Sequence, residues 1–254
     1  MAKPILVANW KNHPGSLDEA KMLLGQLSRD SKFYKKLTLF IAPPFTYFES
    51  VSQRLGNFGQ LASQNISSLP LGNYTGQVTP DILKSFGVRL AIIGHSERRS
   101  FGETSEHVAR KVKAALHAGI TPLVCVGEIS RDQDGEYFEL LREQIKLSLA
   151  DVNRKTGASK LVLAYEPVWA IGKSARDAMV SADLSQSIIF IRKVLTDMFG
   201  RSIAERIPIL YGGSVEPSNA LALFRETGIR GLLVGHASLN AKSFGVIAKS
   251  LISK

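Results

Sequence analysis

The sequence predicts an α/β protein, a closed (β/α)8 barrel forming a single domain over residues 1–254. Three observations lead there. First, eight short apolar, β-branched runs alternate with longer segments of helical periodicity; the runs lie at residues 5–8, 37–42, 59–64, 89–93, 120–126, 160–165, 208–211 and 231–234. Strand followed by helix, repeated, builds a parallel sheet. Several of the runs are apolar throughout, as strands covered on both faces are. Second, 254 residues match the roughly 250 that an eight-unit barrel uses. Third, an open sheet that binds a dinucleotide places G-x-G-x-x-G after its first strand. Here the first strand runs into Asn9-Trp10-Lys11-Asn12-His13 instead. No linker, low-complexity tract or internal repeat divides the chain.

The helical segments carry their own signals. Leu17, Ala20, Leu23, Leu24 and Leu27 recur at the three-four spacing of an amphipathic helix. Ser16 stands before them as an N-cap, and Glu19 three residues on completes a capping-box pattern. Pro44, Pro80 and Pro217 sit where helices would begin, and proline suits a first helical position. Leu184, Ile188, Ile191 and Leu195 mark a long helix over 181–199.

Composition removes whole classes. Apolar residues make up 44% and charged residues 21%, which excludes a disordered chain, a fibre and a coiled coil. No apolar run approaches the roughly 20 residues of a membrane span. The first residues lack a signal-peptide core and predict a strand, so a cytoplasmic location is expected. Cys125 is the only cysteine, which rules out an intrachain disulfide and a thiolate zinc site. The net charge of +10 favours anionic ligands. Its densest stretches, Lys32-Phe33-Tyr34-Lys35-Lys36 and Arg98-Arg99, come with no nucleic-acid-binding signature. They read as solvated faces, and no specific nucleic-acid partner is expected.

Chemistry in such barrels sits beyond the C-terminal ends of the strands. Asn9 and Lys11 follow the first strand, His95 the fourth, Glu166 the sixth, Gly212-Gly213-Ser214 the seventh and Gly235-His236 the eighth. Pro167 holds Glu166 in extended backbone, and a carboxylate beside apolar walls can act as a general base. A histidine at a helix start favours the neutral ring, which can donate to a carbonyl oxygen. Lys11 can hold an anion or stabilise an oxyanion. The glycine loops after strands seven and eight offer backbone N–H groups for a phosphate. Each residue alone has a plainer reading: a strand-end Glu, a structural His, a surface Lys, turn glycines. Their convergence on one rim points to proton abstraction next to a carbonyl of a small phosphorylated substrate. Nothing in the pattern calls for a metal or an organic cofactor.

Five segments, in order, resemble the triosephosphate isomerase family across essentially the whole chain. They are Ala8-Asn9-Trp10-Lys11, the run from Ile92 to Arg99, the run from Ala164 to Gly172, Tyr211-Gly212-Gly213-Ser214-Val215 and Leu233-Val234-Gly235. The resemblance implies a TIM barrel that interconverts dihydroxyacetone phosphate and glyceraldehyde 3-phosphate. It implies Glu166 as the proton shuttle, His95 as the neutral electrophile, Lys11 and Asn9 on the substrate, and Glu97 orienting Lys11. It also implies a phosphate cradle of Gly172, Ser214, Gly235 and His236, with residues 167–177 closing over the site. Asn73-Tyr74-Thr75-Gly76 resembles the family's interdigitating loop, which implies a homodimer in which Thr75 reaches the partner's site. Three departures stand out. Lys173-Ser174-Ala175-Arg176-Asp177 replaces the usual Thr-Gly-Lys-Thr-Ala, His236 replaces a glycine, and Gln77 replaces a glutamate expected to pair with Arg98 across the dimer. An isomerase of another short ketose phosphate, such as an erythrulose phosphate, and a basic barrel that binds phosphate ligands or nucleic acid are the alternatives.

Overall fold

The structure, a computed structural model, describes residues 2–132, 134–154, 156–172 and 179–252. Eight parallel strands close a barrel in chain order: β1 Ile5–Asn9, β2 Thr38–Ala42, β3 Gln60–Ser63, β4 Leu90–Ile93, β5 Thr121–Val126, β6 Val162–Tyr165, β7 Ile209–Tyr211 and β8 Gly231–Val234. β8 returns to β1 with Ile5 opposite Gly231 and Ala8 opposite Val234, so no strand edge is left open. Each strand is followed by a helix: Leu17–Ser28, Phe48–Leu55, Pro80–Ser85, Ser105–Ala118, Tyr137–Ser148, Ser181–Phe199, Ala220–Glu226 and Ala241–Ile252.

The alternation of side chains along each strand separates two apolar layers. Val7, Phe40, Leu90, Ile92, Leu123, Cys125, Ala164, Leu210 and Leu233 fill the barrel interior. Their strand neighbours Leu6, Ala8, Ile41, Ala91, Ile93 and Val124 face outward into a second, larger core under the helices. This parity positions the site. Two residues beyond the inward Val7 stands Asn9, and two beyond Ala164 stands Glu166. Leu210 is followed in the same way by Gly212, and Leu233 by Gly235.

Local signals are realised with a few differences. Ser16 Oγ accepts the Glu19 N–H at 3.3 Å, and Ala20, Leu23, Leu24 and Leu27 are the buried face of that helix. Pro80 opens its helix as expected. Pro44 instead precedes a 3-10 turn, Phe45–Tyr47. Pro217 leads a turn, and its helix starts only at Ala220, because Asn219 Oδ1 takes the Glu216 N–H and holds that turn apart. The strand expected over 160–165 begins at Val162, since Ala158–Lys160 coil into a 3-10 turn. Among the described residues, no helix is long and apolar enough to cross a membrane.

Burial pushes up the Cys125 thiol and the phenols of Tyr34, Tyr165 and Tyr211; desolvation is the main cause, reinforced by Glu166, Asp30 and Glu128 respectively for the first three and by Glu128 for Tyr211. Each group therefore binds its proton more tightly folded than unfolded. That stabilisation is complete below the unfolded values, about 8.5 for Cys and about 10 for Tyr, and is lost as the pH rises beyond them. Burial lowers the Lys111 ammonium and acts in the opposite sense, one group against four. Urea midpoints should accordingly stay level near neutrality and fall above about pH 9. A midpoint that rises in alkali would contradict the assignment.

Candidate active site

β1 delivers Asn9 and Lys11 to the rim. Asn9 is buried, and its Oδ1 accepts the Lys11 N–H at 3.1 Å. Lys11 has a φ of 52°, the one left-handed backbone among the described non-glycine residues. Such a residue costs roughly 1–2 kcal/mol and persists only when its surroundings hold it. Here Gln64, just past β3, donates through Nε2 to Lys11 O at 2.7 Å and to Ala42 O at 2.9 Å. The side chain then crosses the barrel mouth, where Nζ meets Glu97 Oε1 at 2.5 Å.

β4 ends at Ile93, and His95 caps the short helix Ser96–Ser100. Its Nδ1 accepts the Glu97 N–H at 3.2 Å. An amide cannot accept, so Nδ1 carries no proton and the ring is the neutral tautomer with its hydrogen on Nε2. That Nε2 lies 3.3 Å from Glu166 Oε1.

Glu166 follows β6 and is 2% exposed. Oε2 accepts the Ser96 N–H at 3.2 Å, while Oε1 has no well-aligned hydrogen bond. Two glycines make room for it. A Cβ on Gly127 would stand 1.9 Å from the Glu166 carbonyl oxygen, and one on Gly212 would stand 2.8 Å from its Cγ. The carboxylate is thus packed between the ends of β5 and β7 and holds a free oxygen at the cavity.

That cavity, of about 220 Å³, brings together Asn9, Lys11, His95 and Glu166 with Gly172, Gly212, Gly213, Ser214, Gly235 and His236. Every residue singled out from the sequence except Glu97 lines it, and Glu97 touches it through Lys11 and His95. Gly213 must be glycine, since a Cβ there would fall 2.3 Å from the Tyr211 hydroxyl. Ser214 Oγ is already engaged, donating to Ala170 O at 2.8 Å. The expectation that both glycine loops open helices needs correction. His236–Leu239 is a 3-10 turn whose start faces the cavity, but Gly212–Ser214 precede the separate turn at 216–219. His236 is exposed and does not have a positive φ, so a non-glycine residue is unstrained there.

Sequence reading passed over several residues of this region. Ile171, Val215, Glu216 and Ala237 also line the cavity, and Gln64, Ser96, Gly127 and Glu128 hold its parts in place. Gln64, Gly127 and Glu128 stand just past the ends of β3 and β5, and the strand-end rule applied to those two strands would have found them. The distinctive residues 173–177 lie outside the described residues. Thr75 and Gln77 sit on a fully exposed loop, and Arg98 pairs within its own chain with Glu103 at 3.4 Å. Among the described residues no cluster of His, Cys, Asp or Glu could hold a metal.

A buried carboxylate facing a neutral imidazole, with an ammonium beside them and backbone amides beyond, makes this an aldose–ketose isomerase of the barrel class. Residues 4–251 match the family model described as triosephosphate isomerase. Relatives named triosephosphate isomerase include one from Geobacter metallireducens, 42% identical over 97% of this chain and 98% of its own length. Another, from Fusobacterium nucleatum, is 40% identical over 98% of this chain and 99% of its own length. A third, from Dehalococcoides mccartyi, is 40% identical over 98% and 97% respectively. The chain belongs to the triosephosphate isomerase family.

Gly127→Ala forces the new methyl into the Glu166 backbone. Overpacking against a chain that cannot yield should destabilise by about 3 kcal/mol, a fall of roughly 6–12 °C in unfolding temperature. Differential scanning calorimetry checks this; an unchanged transition would mean that β5 and β6 part easily.

Proposed function

We propose that the chain interconverts dihydroxyacetone phosphate and D-glyceraldehyde 3-phosphate by proton transfer through an enediolate. The observation that carries this is the meeting of Glu166 Oε1 and His95 Nε2 at 3.3 Å inside one small cavity. A base and a hydrogen-bond donor that close together can address a C–H bond and the carbonyl oxygen beside it at once.

Glu166 takes the proton from one carbon and returns it to the neighbouring one. Its unpaired Oε1 supports this role. His95 donates Nε2–H to the carbonyl oxygen, and a neutral donor does not leave a fixed proton on the enediolate. Lys11 offsets the charge that develops on the enediolate and on the phosphate, as a preorganised cation at an oxyanion does. Glu97 keeps the Lys11 ammonium over the cavity, and Asn9 orders the Lys11 backbone and the substrate. The backbone N–H groups of Gly172, Gly213, Ser214, Gly235 and His236 take the phosphate. Gly212 matters here for the space it leaves to Glu166. His236 contributes its amide, and its ring stays at the solvent side. The volume of about 220 Å³ suits a three-carbon ester and leaves no room for a dinucleotide.

Glu166→Gln tests the central role. An amide cannot accept the substrate proton, so kcat in a coupled isomerase assay should fall by at least about 10²–10⁴-fold with the fold unchanged. Near-native turnover would remove Glu166 from the mechanism.

The same reading includes a homodimer of one-domain subunits in the cytoplasm, built through the loop that carries Thr75. Exposed apolar side chains support it: Leu71 is 62% exposed and Phe101 81% exposed, with Phe45, Tyr74, Ile82 and Phe86 also exposed. A surface this apolar is the mark of an interaction face. Sedimentation equilibrium should return twice the chain mass; a monomer at micromolar concentration would refute the dimer.

A further inference from the structure

Near the catalytic rim, one charged side chain has no part in the steps above and yet is held on every side. Arg131 follows β5. Its Nε donates to Glu128 Oε1 at 3.0 Å, and one terminal nitrogen donates to the Tyr165 hydroxyl at 3.1 Å and to Ser187 Oγ at 2.7 Å. The other lies 3.7 Å from Asp183. The guanidinium carbon sits 4.8 Å from the Tyr137 ring centre and 5.3 Å from that of Trp169. The side chain is 19% exposed.

The Glu128 carboxylate that it grips is fully buried. Oε1 accepts the Trp169 indole N–H at 2.9 Å, and the Tyr165 hydroxyl donates to both carboxylate oxygens at 2.8 and 3.0 Å. Burial first and Glu128 second push the Tyr165 phenol far up, so it remains a donor. Glu128 O also accepts the Val168 N–H at 2.9 Å. Val168–Ala170 form a 3-10 turn. Ala170 O receives the Ser214 hydroxyl, and Gly172 lines the cavity two residues later. A continuous path therefore leads from Arg131 through Glu128 and Trp169 to the anion end of the site. At its far side Arg131 reaches Asp183 and Ser187 on the helix Ser181–Phe199. A planar fork that meets a carboxylate edge-on while stacking on rings is what arginine offers and lysine does not.

We propose that Arg131 is a positioning residue for the phosphate end of the active site. It holds the Glu128 carboxylate as the acceptor of the Trp169 indole and so sets where the turn 168–170 and Gly172 lie against Ser214. The proposal rests on the reading that Gly172 and Ser214 bind the substrate phosphate.

The test compares the native chain with Arg131→Met and Arg131→Lys. Each is measured for kcat and KM with glyceraldehyde 3-phosphate, for inhibition by inorganic phosphate, for tryptophan emission and for thermal unfolding. Losing the fork should raise KM and the phosphate inhibition constant together by about tenfold in Arg131→Met. Arg131→Lys, which keeps the charge, should raise both by less, and kcat should stay within about threefold in both. Tryptophan emission should shift in Arg131→Met, because Trp169 loses its cation. A folded Arg131→Met variant with native KM, native phosphate inhibition and native emission overturns the proposal, as does a loss confined to kcat. If Arg131→Met does not fold, native KM and emission in Arg131→Lys overturn it. Absence of turnover in the native chain overturns the functional reading, and this proposal with it.

Discussion

Closure of the sheet is the constraint on which everything else depends. Once β8 pairs with β1, each strand has an inside and an outside, and side chains alternate between them. The inward positions of β1, β6, β7 and β8 then point at one another, and their continuations past the last ladder bond are Asn9, Glu166, Gly212 and Gly235. In an open sheet these residues would spread along an edge. Closure gathers them within one mouth and lets a single cavity contact four strands.

Close packing then decides the aim of the reactive groups. Glu166 is held where the backbones of β5 and β7 approach so nearly that Gly127 and Gly212 admit no side chain. Lys11 is bent into a left-handed backbone that Asn9 and Gln64 pin by hydrogen bonds. The same geometry that strains Lys11 turns its ammonium across the mouth to Glu97. Strain of this kind persists because the surrounding bonds over-determine it.

Charge is arranged with equal economy. His95 owes its tautomer to a single amide, the N–H of Glu97, which occupies Nδ1. Glu97 thereby acts on two partners: its backbone on His95 and its carboxylate on Lys11. Beside this centre the buried Glu128 gathers a phenol, an indole and a guanidinium, which satisfies an anion that would otherwise be costly to bury.

Much of this was legible in the sequence. The eight apolar runs, the amphipathic stripe of the helix starting at Leu17, and the polar residues following strands one, four, six, seven and eight were all visible as local patterns. Local patterns reach that far because strand parity and helical spacing are properties of consecutive residues. The helix after Pro217 began later than its proline suggested, and the sixth strand lost its first residues to a 3-10 turn, since side-chain caps and turn bonds compete with propensity. Gln64, Gly127, Glu128 and Arg131 went unread because their roles exist only across chain separations. Gln64 meets Lys11 over 53 positions and Arg131 meets Ser187 over 56. What the sequence by itself determined was the barrel, its rim and the kinds of chemical group on it. The tertiary structure alone decided the tautomer of His95, the strained aim of Lys11 and the packing of Glu166, because each depends on a hydrogen bond or a close approach between strands that only the closed barrel brings together.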